Sequence, residues 1–398
     1  MILNTLLTFS KSWYFKKTTL RQQSGAILII VLWFMIIVTA MVAALASETR
    51  LSAQIVYYNK LALQNWNDTL KALQSAEMEL LISMMPDPPG QEQEVPLSER
   101  KNKRYRFDGR VLDLAYPIPD TVTVRIYDEA GKINIQRLPR QYMRQLLEKR
   151  IGNNDPDKLE ALLDAWEDWI DQDDLKRTNG AEKDYYETLS PPYEPRNSQI
   201  ETVEELLLIK GFAEAFQDIE IESVFTVYGY NPGVNPNLAT REALMLLPGL
   251  NDDLVNTILT QRREKEFKTF SDFNEFMEPE QLTQLQRQRW IHFAPSNVYT
   301  IAIQTKDSES INPTDNQESS LTKAENKAED KLETKADNQE NGTTNSSSSE
   351  PKQQRAYLVT VQPRGFNQLP KVLRVNPYGV LPDTRYEAMI NKDNDSKK

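Results

Sequence analysis

The feature that most constrains this chain is an uninterrupted apolar stretch near its start. Residues 26–46 read AILIIVLWFMIIVTAMVAALA and contain no charged side chain. In a helix, a stretch of about 20 residues is about 30 Å long, which matches the hydrocarbon core of a bilayer. The residues before it include Lys11, Lys16, Lys17 and Arg21 and no acidic side chain. The positive-inside tendency therefore predicts a single span with a cytoplasmic N-terminal end.

The junction ahead of this span has a second pattern. A basic, polar leader ends in Gly25 directly before Ala26, and this resembles the prepilin leader that a prepilin peptidase cuts between those residues. Pilins usually carry Glu as the fifth mature residue, whereas this chain has Ile30 there. In pilins that Glu neutralises the N-terminal amine of the subunit above, so its absence suits a tip subunit. A plain signal anchor, or a secretory signal cut after residues 44–46, is the alternative.

Beyond the span, the period of the apolar residues changes several times. Helical spacing continues to Pro86, which predicts one long helix whose second half packs on a soluble domain. Residues 121–135, TVTVRIYDEAGKINI, alternate and turn at residues 129–131, which predicts a β-hairpin or a strand pair with one buried face. Helical patterns then follow up to about residue 293, and strand patterns return at 297–304 and after residue 354.

These patterns predict an α+β fold with a long N-terminal helix, as in type IV pilins, packed on a small antiparallel sheet. A large all-helical domain is inserted between the strands. Residues 305–354 are polar, lack apolar periodicity and are predicted to be a disordered loop. The predicted segments are a leader (1–25), a transmembrane and amphipathic helix (26–86), the first part of the sheet (87–136), the inserted domain (137–293) and the second part of the sheet with the loop (294–398).

Composition excludes several classes of protein. The chain has 58 acidic and 47 basic residues, a net charge of −11, no cysteine and one histidine, His292. The negative charge argues against nucleic acid as the main partner. Without cysteine there is no disulfide and no thiolate metal site, and a Ser-His-Asp triad would have to use His292. Its apolar neighbours make a packed core histidine the preferred interpretation.

A cluster of carboxylates follows the helix predicted to end near Ile170. Like charges so close together repel one another, and a hard cation such as Ca²⁺, which takes about six to eight oxygen ligands, relieves that repulsion. The spacing from Asp171 to Glu182 matches an EF-hand loop, but Lys176 stands where that loop needs glycine. From the residues alone, a solvated acidic loop remains the alternative. The clustered residues are Asp168, Asp171, Asp173, Asp174, Glu182 and Asp184.

Two short turns resemble helix-hairpin-helix motifs, at residues 209–212 (IKGF) and 247–250 (LPGL). Such turns can offer backbone N–H groups to DNA phosphates. A DNA-binding minor pilin of a competence pilus is therefore an alternative function, although a structural turn between helices is the preferred interpretation of the motif. A third possibility is an anchored hydrolase that uses Asp168 and Asp171 as paired carboxylates.

Four blocks together resemble the minor pseudopilins of the K class (GspK) of type II secretion systems. They are GAILIIVLW, the segment from DAWEDWIDQDD to SPPYEPRN, VEELLLIKGF and NPNLATREALMLLPGLND. The resemblance implies a non-catalytic subunit that caps the pseudopilus tip together with the minor pseudopilins I and J. It also implies export of folded proteins from the periplasm across the outer membrane, without a role for nucleic acid.

The same resemblance implies the remaining partners and the metal. Prepilin peptidase, the major pseudopilin filament and the exported proteins would contact the chain, first in the inner membrane with most of the chain periplasmic, then at the tip. The mature N-terminus would be Ala26, with N-methylation as in pilins. K-type pseudopilins bind calcium in the inserted domain, so the resemblance implies Asp171, Asp173, Glu182 and Asp184 as ligands, with Asp168 and Asp174 as further candidates.

Overall fold

The structure is a computed structural model, and it describes residues 24–85, 106–152, 155–306, 355–365 and 368–382; the side chains of residues 24–27 are not described. The predicted leader before residue 24 and nearly all of the predicted loop at 305–354 lie outside the described residues. The chain divides into two compact units, Met1–Gln64 and Asn65–Lys398.

The described elements follow one another in a simple order. Helices come mostly between the third and fifth strands. In chain order they are α1 (Ser24–Ser83), β1 (Asp108–Val111), β2 (Val122–Asp128), β3 (Ile133–Asn134), α2 (Arg140–Ile151), α3 (Pro156–Ile170), α4 (Lys183–Tyr186), α5 (Phe212–Ala215), α6 (Ile221–Val224), β4 (Phe225–Thr226), α7 (Arg241–Leu246), α8 (Asp252–Glu264), α9 (Pro279–Arg287), β5 (Tyr299–Thr305), β6 (Arg355–Gln362) and β7 (Lys371–Val380).

Helix α1 confirms the predicted long N-terminal helix. Among the described residues, it is the one helix long and apolar enough to cross a bilayer. In the first unit its apolar side chains are exposed, and Ile30 is 67% exposed. Burying them in lipid, or against apolar helices of other subunits, would remove this surface from water.

In the second unit, the end of α1 packs on a five-stranded antiparallel sheet. The strand order is β1-β2-β5-β6-β7, and β2 pairs along its whole length with β5, from Val122 opposite Thr305 to Asp128 opposite Tyr299. The alternating apolar residues of β2 are buried under Ala72, Ala76 and Leu80, which recur every four residues on one face of α1. The predicted sheet and its contact with the helix are therefore confirmed.

The predicted hairpin at residues 121–135 is wrong. Residues Glu129–Gly131 form a 3₁₀ turn that is capped by Asp128, whose Oδ1 accepts the N–H of Ala130 at 2.8 Å. The chain then leaves the sheet, because β2 already has β1 and β5 as neighbours. Strand β3 instead pairs in parallel with β4. A two-residue pairing across so long a separation leaves no periodic signal in the sequence.

Between β3 and β5 the longer regular elements are helices joined by turns and loops, and the two residues of β4 show that the inserted domain is not entirely helical as predicted. Two of the longer helices begin at side-chain caps: Asp155 accepts the N–H of Lys158 at 2.9 Å at the start of α3, and Asn251 accepts that of Leu254 at 2.9 Å at the start of α8. Thr202 and Glu205 form a capping box, in which Glu205 Oε1 accepts the N–H of Thr202 at 3.0 Å, at the start of a 3₁₀ helix, Val203–Leu208. One large apolar core joins these helices, and it includes Trp166 and Trp169 near the end of α3.

Candidate metal centre at the end of α3

Helix α3 brings carboxylates to its own C-terminal end. Its apolar face, including Leu162, Trp166 and Trp169, is buried in the core of the inserted domain. Asp168 lies in the last turn and is fully buried, and Asp171 caps the helix. The last turn has no basic residue. Since a helix C-terminus carries partial negative charge, the two carboxylates need a positive group nearby.

Arg177 supplies that positive group. Its Nη1 donates to Asp168 Oδ1 at 2.8 Å and also contacts Asp171 Oδ2, and its backbone N–H donates to Asp168 Oδ2 at 3.2 Å. Its Nε pairs with Glu167 Oε2 at 3.0 Å. Burial lowers the pKa of Arg177, but its hydrogen bonds to Asp171 and Asp168 outweigh burial and raise the pKa above its ordinary value. One guanidinium thus serves three carboxylates.

Glu182 has no positively charged hydrogen-bond partner of this kind among the described residues. Only 3% of it is exposed, and both of its carboxylate oxygens are buried without a hydrogen-bond partner among the described residues. Asp171 Oδ1 is buried and unpartnered in the same way. Burial, followed by the charges of Asp168 and Asp171, raises the pKa of Glu182 to about 7. A buried carboxylate without a partner is costly, and a cation bound beside Glu182 would offset that cost.

The other three predicted ligands are exposed. Asp173 accepts the N–H of Leu175 at 2.9 Å, and Asp174 accepts Nδ2 of Asn197 at 2.8 Å. The charges of Asp173 and Asp174 still raise the pKa of Glu182, so both lie within electrostatic reach of it. Asp184 accepts the N–H of Tyr185 at 2.9 Å in the first turn of α4.

We call Asp168, Asp171 and Glu182 the carboxylate cluster. Across the described parts of the chain, no group of three or more Asp, Glu or His side chains is placed so that it could hold a metal ion without rearrangement. Nevertheless the donors fit a hard cation: they are all oxygens, and three of these oxygens are buried and unpartnered. Oxygen ligands without nitrogen or sulfur suit Ca²⁺ and not Zn²⁺.

Two residues of this centre were not singled out from the sequence, Arg177 and Gly180. A Cβ on Gly180 would lie 1.9 Å from Asp168 Oδ2, so glycine is required for the loop to approach the buried carboxylate. The sequence feature that could have indicated Gly180 is its position between acidic residues. For Arg177 it was a lone arginine inside the same acidic segment.

The paired carboxylates of the hydrolase alternative do not have separate roles. Asp168 and Asp171 contact the same nitrogen of Arg177. Engagement of both carboxylates by one guanidinium favours a structural role over separate acid and base roles.

The helix-hairpin-helix turns are packing elements. Gly211 and Gly249 both have φ of +81°, which glycine adopts without strain. The neighbouring Phe212 and Leu250 are buried in the core. At the N-terminus of α8, directly after the second turn, the first residues are Asp252 and Asp253. Carboxylates at that end repel phosphates, so this turn does not favour DNA.

At the predicted cleavage junction the structure describes only the backbone. Gly25 and Ala26 lie in the first turns of α1, which begins at Ser24. Ile30, at the position of the usual pilin Glu, follows in the same unbroken helix.

Comparison with known proteins gives one family. Residues 127–220 match the family model described as "Type II secretion system (T2SS), protein K". The type II secretion system protein K of Pectobacterium carotovorum subsp. carotovorum is 38% identical over 73 residues, which cover 18% of this chain and 22% of the relative. The protein of the same name from Dickeya chrysanthemi is 28% identical over 138 residues, 33% of this chain and 37% of the relative. Thus the matches span about a fifth to just over a third of these relatives.

Among solved structures, the chain matches one chain of the GspK–GspI–GspJ complex from the type 2 secretion system of enterotoxigenic Escherichia coli. The match has a TM-score of 0.47 and 14% identity, and it covers 82% of this chain and 100% of the matched chain. A TM-score below 0.5 does not by itself establish a shared fold.

Proposed function

Because residues 127–220 form a domain of the type II secretion system protein K family, which confirms the predicted resemblance, we propose that this chain is a minor pseudopilin. The proposed role is to cap the tip of the type II secretion pseudopilus and to take part in export of folded proteins from the periplasm across the outer membrane. The role is structural, through contacts with other proteins and without catalysis.

The family match carries this proposal, and the architecture supports it. The matched segment begins at the end of β2 and includes α3 and the carboxylate cluster. A helix that is apolar in one half and packed on a small sheet in the other suits a subunit that leaves the membrane to join a filament. Ile30, in place of the usual Glu, suits a subunit with nothing above it.

The proposed partners follow from the same role. They are the minor pseudopilins I and J in a tip complex, the major pseudopilin filament below them, prepilin peptidase, and the exported proteins. We place the chain first in the inner membrane, with one span and a periplasmic remainder, and then at the pseudopilus tip. Prepilin peptidase would cut between Gly25 and Ala26, and the new N-terminus would be methylated.

Calcium is the proposed metal. Glu182, Asp171 and Asp168 are the residues that would hold it, with Asp173, Asp174 and Asp184 near enough in sequence to contribute further oxygens. Bound there, the ion supplies positive charge to buried carboxylates at the end of α3 and the start of α4. Its role is therefore structural: it stabilises the loop that joins the two helices.

Co-expression tests the function. Full-length protein, with an affinity tag at its C-terminus, is produced in membranes together with tagged I and J subunits of the same secretion system. We expect I and J to co-purify with it, and deletion of the gene to leave exoproteins in the periplasm. Normal secretion without the gene, together with no recovery of I or J, would contradict the proposal. An unrelated single-span protein with the same tag is the control.

A further inference from the structure

Arg177 contacts the same oxygens that a bound cation needs. Its Nη1 engages Asp168 Oδ1 and Asp171 Oδ2, which belong to the carboxylate cluster. Within the carboxylate cluster, Asp171 Oδ1 and the two oxygens of Glu182 are buried without a hydrogen-bond partner among the described residues. A Ca²⁺ ion that takes about six to eight oxygens would draw on the engaged carboxylates as well.

We propose that Arg177 is a built-in counter-ion of the carboxylate cluster, which a divalent cation displaces from Asp168 and Asp171 when it binds. This inference rests on the calcium binding proposed above. A guanidinium and a divalent cation on the same two carboxylates repel each other at close range, so the two occupants compete. In the absence of metal, Arg177 keeps the end of α3 from accumulating unbalanced negative charge.

The structure gives Arg177 a place to remain after displacement. Its Nε pairs with Glu167 Oε2 at 3.0 Å, on the neighbouring position of α3. The side chains of Arg177 and Glu167 are 35% and 24% exposed, so both reach solvent. Arg177 can therefore withdraw Nη1 from the carboxylate cluster and keep its contact with Glu167.

Competition has a measurable consequence through linkage. If Arg177 and the cation exclude each other, removal of the guanidinium tightens cation binding, and cation binding removes the contribution of the guanidinium to stability. A purely structural arginine predicts the opposite, because its loss would loosen the loop and weaken metal binding.

Calcium titration of the full-length protein in detergent, after removal of metal with a chelator, tests the inference. We expect Arg177→Gln to bind calcium at least about fivefold more tightly than wild type, within the usual range of such couplings. The matched control is Arg140→Gln. Arg140 pairs with Glu160, Asp164 and Glu167 but with no member of the carboxylate cluster. The calcium affinity of Arg140→Gln should stay within about twofold of wild type, because Arg140 contacts none of the proposed ligands.

Thermal unfolding supplies a second readout. With chelator, Arg177→Gln should unfold at a lower temperature than wild type, and excess calcium should bring the two midpoints together. If the glutamine variant does not fold, Arg177→Lys, which keeps the charge but loses the planar fork, should show calcium affinity tighter than wild type.

The outcomes separate the inference from the proposal on which it rests. If Glu182→Gln abolishes calcium binding while Arg177→Gln binds calcium no more tightly than wild type, the counter-ion role is overturned and the calcium site stands. If neither wild type nor Arg177→Gln binds calcium at millimolar concentration, both are overturned. The role of the chain as a minor pseudopilin is tested separately, by its recovery with I and J.

Discussion

Gly180 lies directly against Asp168: a Cβ at Gly180 would come within 1.9 Å of Asp168 Oδ2. The carboxylate is fully buried and held by Arg177, so it has no space into which to move. The close approach of this backbone therefore fixes the loop between α3 and α4. It also accounts for a glycine within a segment of acidic residues.

The first prediction concerns this contact. Gly180→Ala should lower the free energy of unfolding by about 1–3 kcal/mol, the usual range for overpacking a buried site. Chemical denaturation of the chelator-treated protein measures the change. The neighbouring Asn179→Ala, at an exposed position, is the control and should have an effect of less than about 0.5 kcal/mol. Equal effects at the two positions would argue against the close approach.

The second prediction concerns the packing of α1 on the sheet. Leu80 is fully buried there, whereas Leu63, on the same helix, is 63% exposed. Leu80→Ala should cost about 2–5 kcal/mol of stability, because it leaves a cavity between helix and sheet. Leu63→Ala should have little effect in the isolated protein. Both are measured by thermal or chemical unfolding, and a tolerated Leu80→Ala would rule out the described contact.

The third prediction concerns the link between the edge of the sheet and the inserted domain. Arg374 on β7 contacts the carboxylates of Glu204 and Glu222, and Asn376 Nδ2 donates to Glu222 Oε1 at 2.9 Å. Arg374→Ala should lower stability by about 1–3 kcal/mol, because a largely buried acid loses its charged partner.

Two further variants check that account of Arg374. Lys371→Ala, on an exposed position of the same strand, should be nearly neutral by the same unfolding measurement. Glu222→Gln placed in the Arg374→Ala background should recover part of the loss, since it removes the unpaired charge. No recovery would mean that the arginine acts through packing alone.

The fourth prediction concerns pH. Hydrogen bonds from the backbone N–H groups of Thr269 and Lys268 lower the pKa of Asp272 from 3.8 to about 2. A lowered pKa stabilises the fold above the ordinary value, and this contribution is lost as the pH falls through about 3.8 towards 2. Asp272→Ala should therefore cost about 0.5–2 kcal/mol at pH 6, as for other helix caps.

The gap between wild type and Asp272→Ala should narrow when unfolding is measured towards pH 3. Glu275, on the same segment and exposed, offers the control variant Glu275→Ala, for which no comparable narrowing is expected. A gap that stays constant between pH 6 and pH 3 would show that the carboxylate of Asp272 does not contribute through its charge.

The sequence predicted the elements whose signals are local. The apolar run of α1, the alternation of Val122, Val124 and Ile126, and the cap at Asp155 each lie within a few residues of the structure that they form. In contrast, β3 forms only because Ile133 meets Phe225, far along the chain. No window of the sequence around residue 133 contains that partner, and the alternating pattern there indicated a hairpin instead.

In the candidate metal centre, too, the sequence predicted the local features and missed those that depend on the three-dimensional fold. The spacing of the sequence predicted that Asp168 and Asp171 lie at one helix end, and in the structure both lie at the C-terminal end of α3. It could not rank Glu182 above Asp184, because that difference depends on burial: Glu182 is nearly inaccessible, and Asp184 faces solvent. Nor could it show that Arg177 folds back onto Asp168, since this requires the three-dimensional course of the loop. The assignment of calcium remains a prediction.

The mature N-terminus of the protein recovered from membranes tests the central claim most directly. Mass spectrometry of the full-length protein, produced with an active prepilin peptidase, should give a chain that starts at Ala26 and carries a methyl group on its amine. A Gly25→Leu variant should remain uncut. An intact Met1, or a start near Ser47, would contradict the account of this chain as a processed minor pseudopilin.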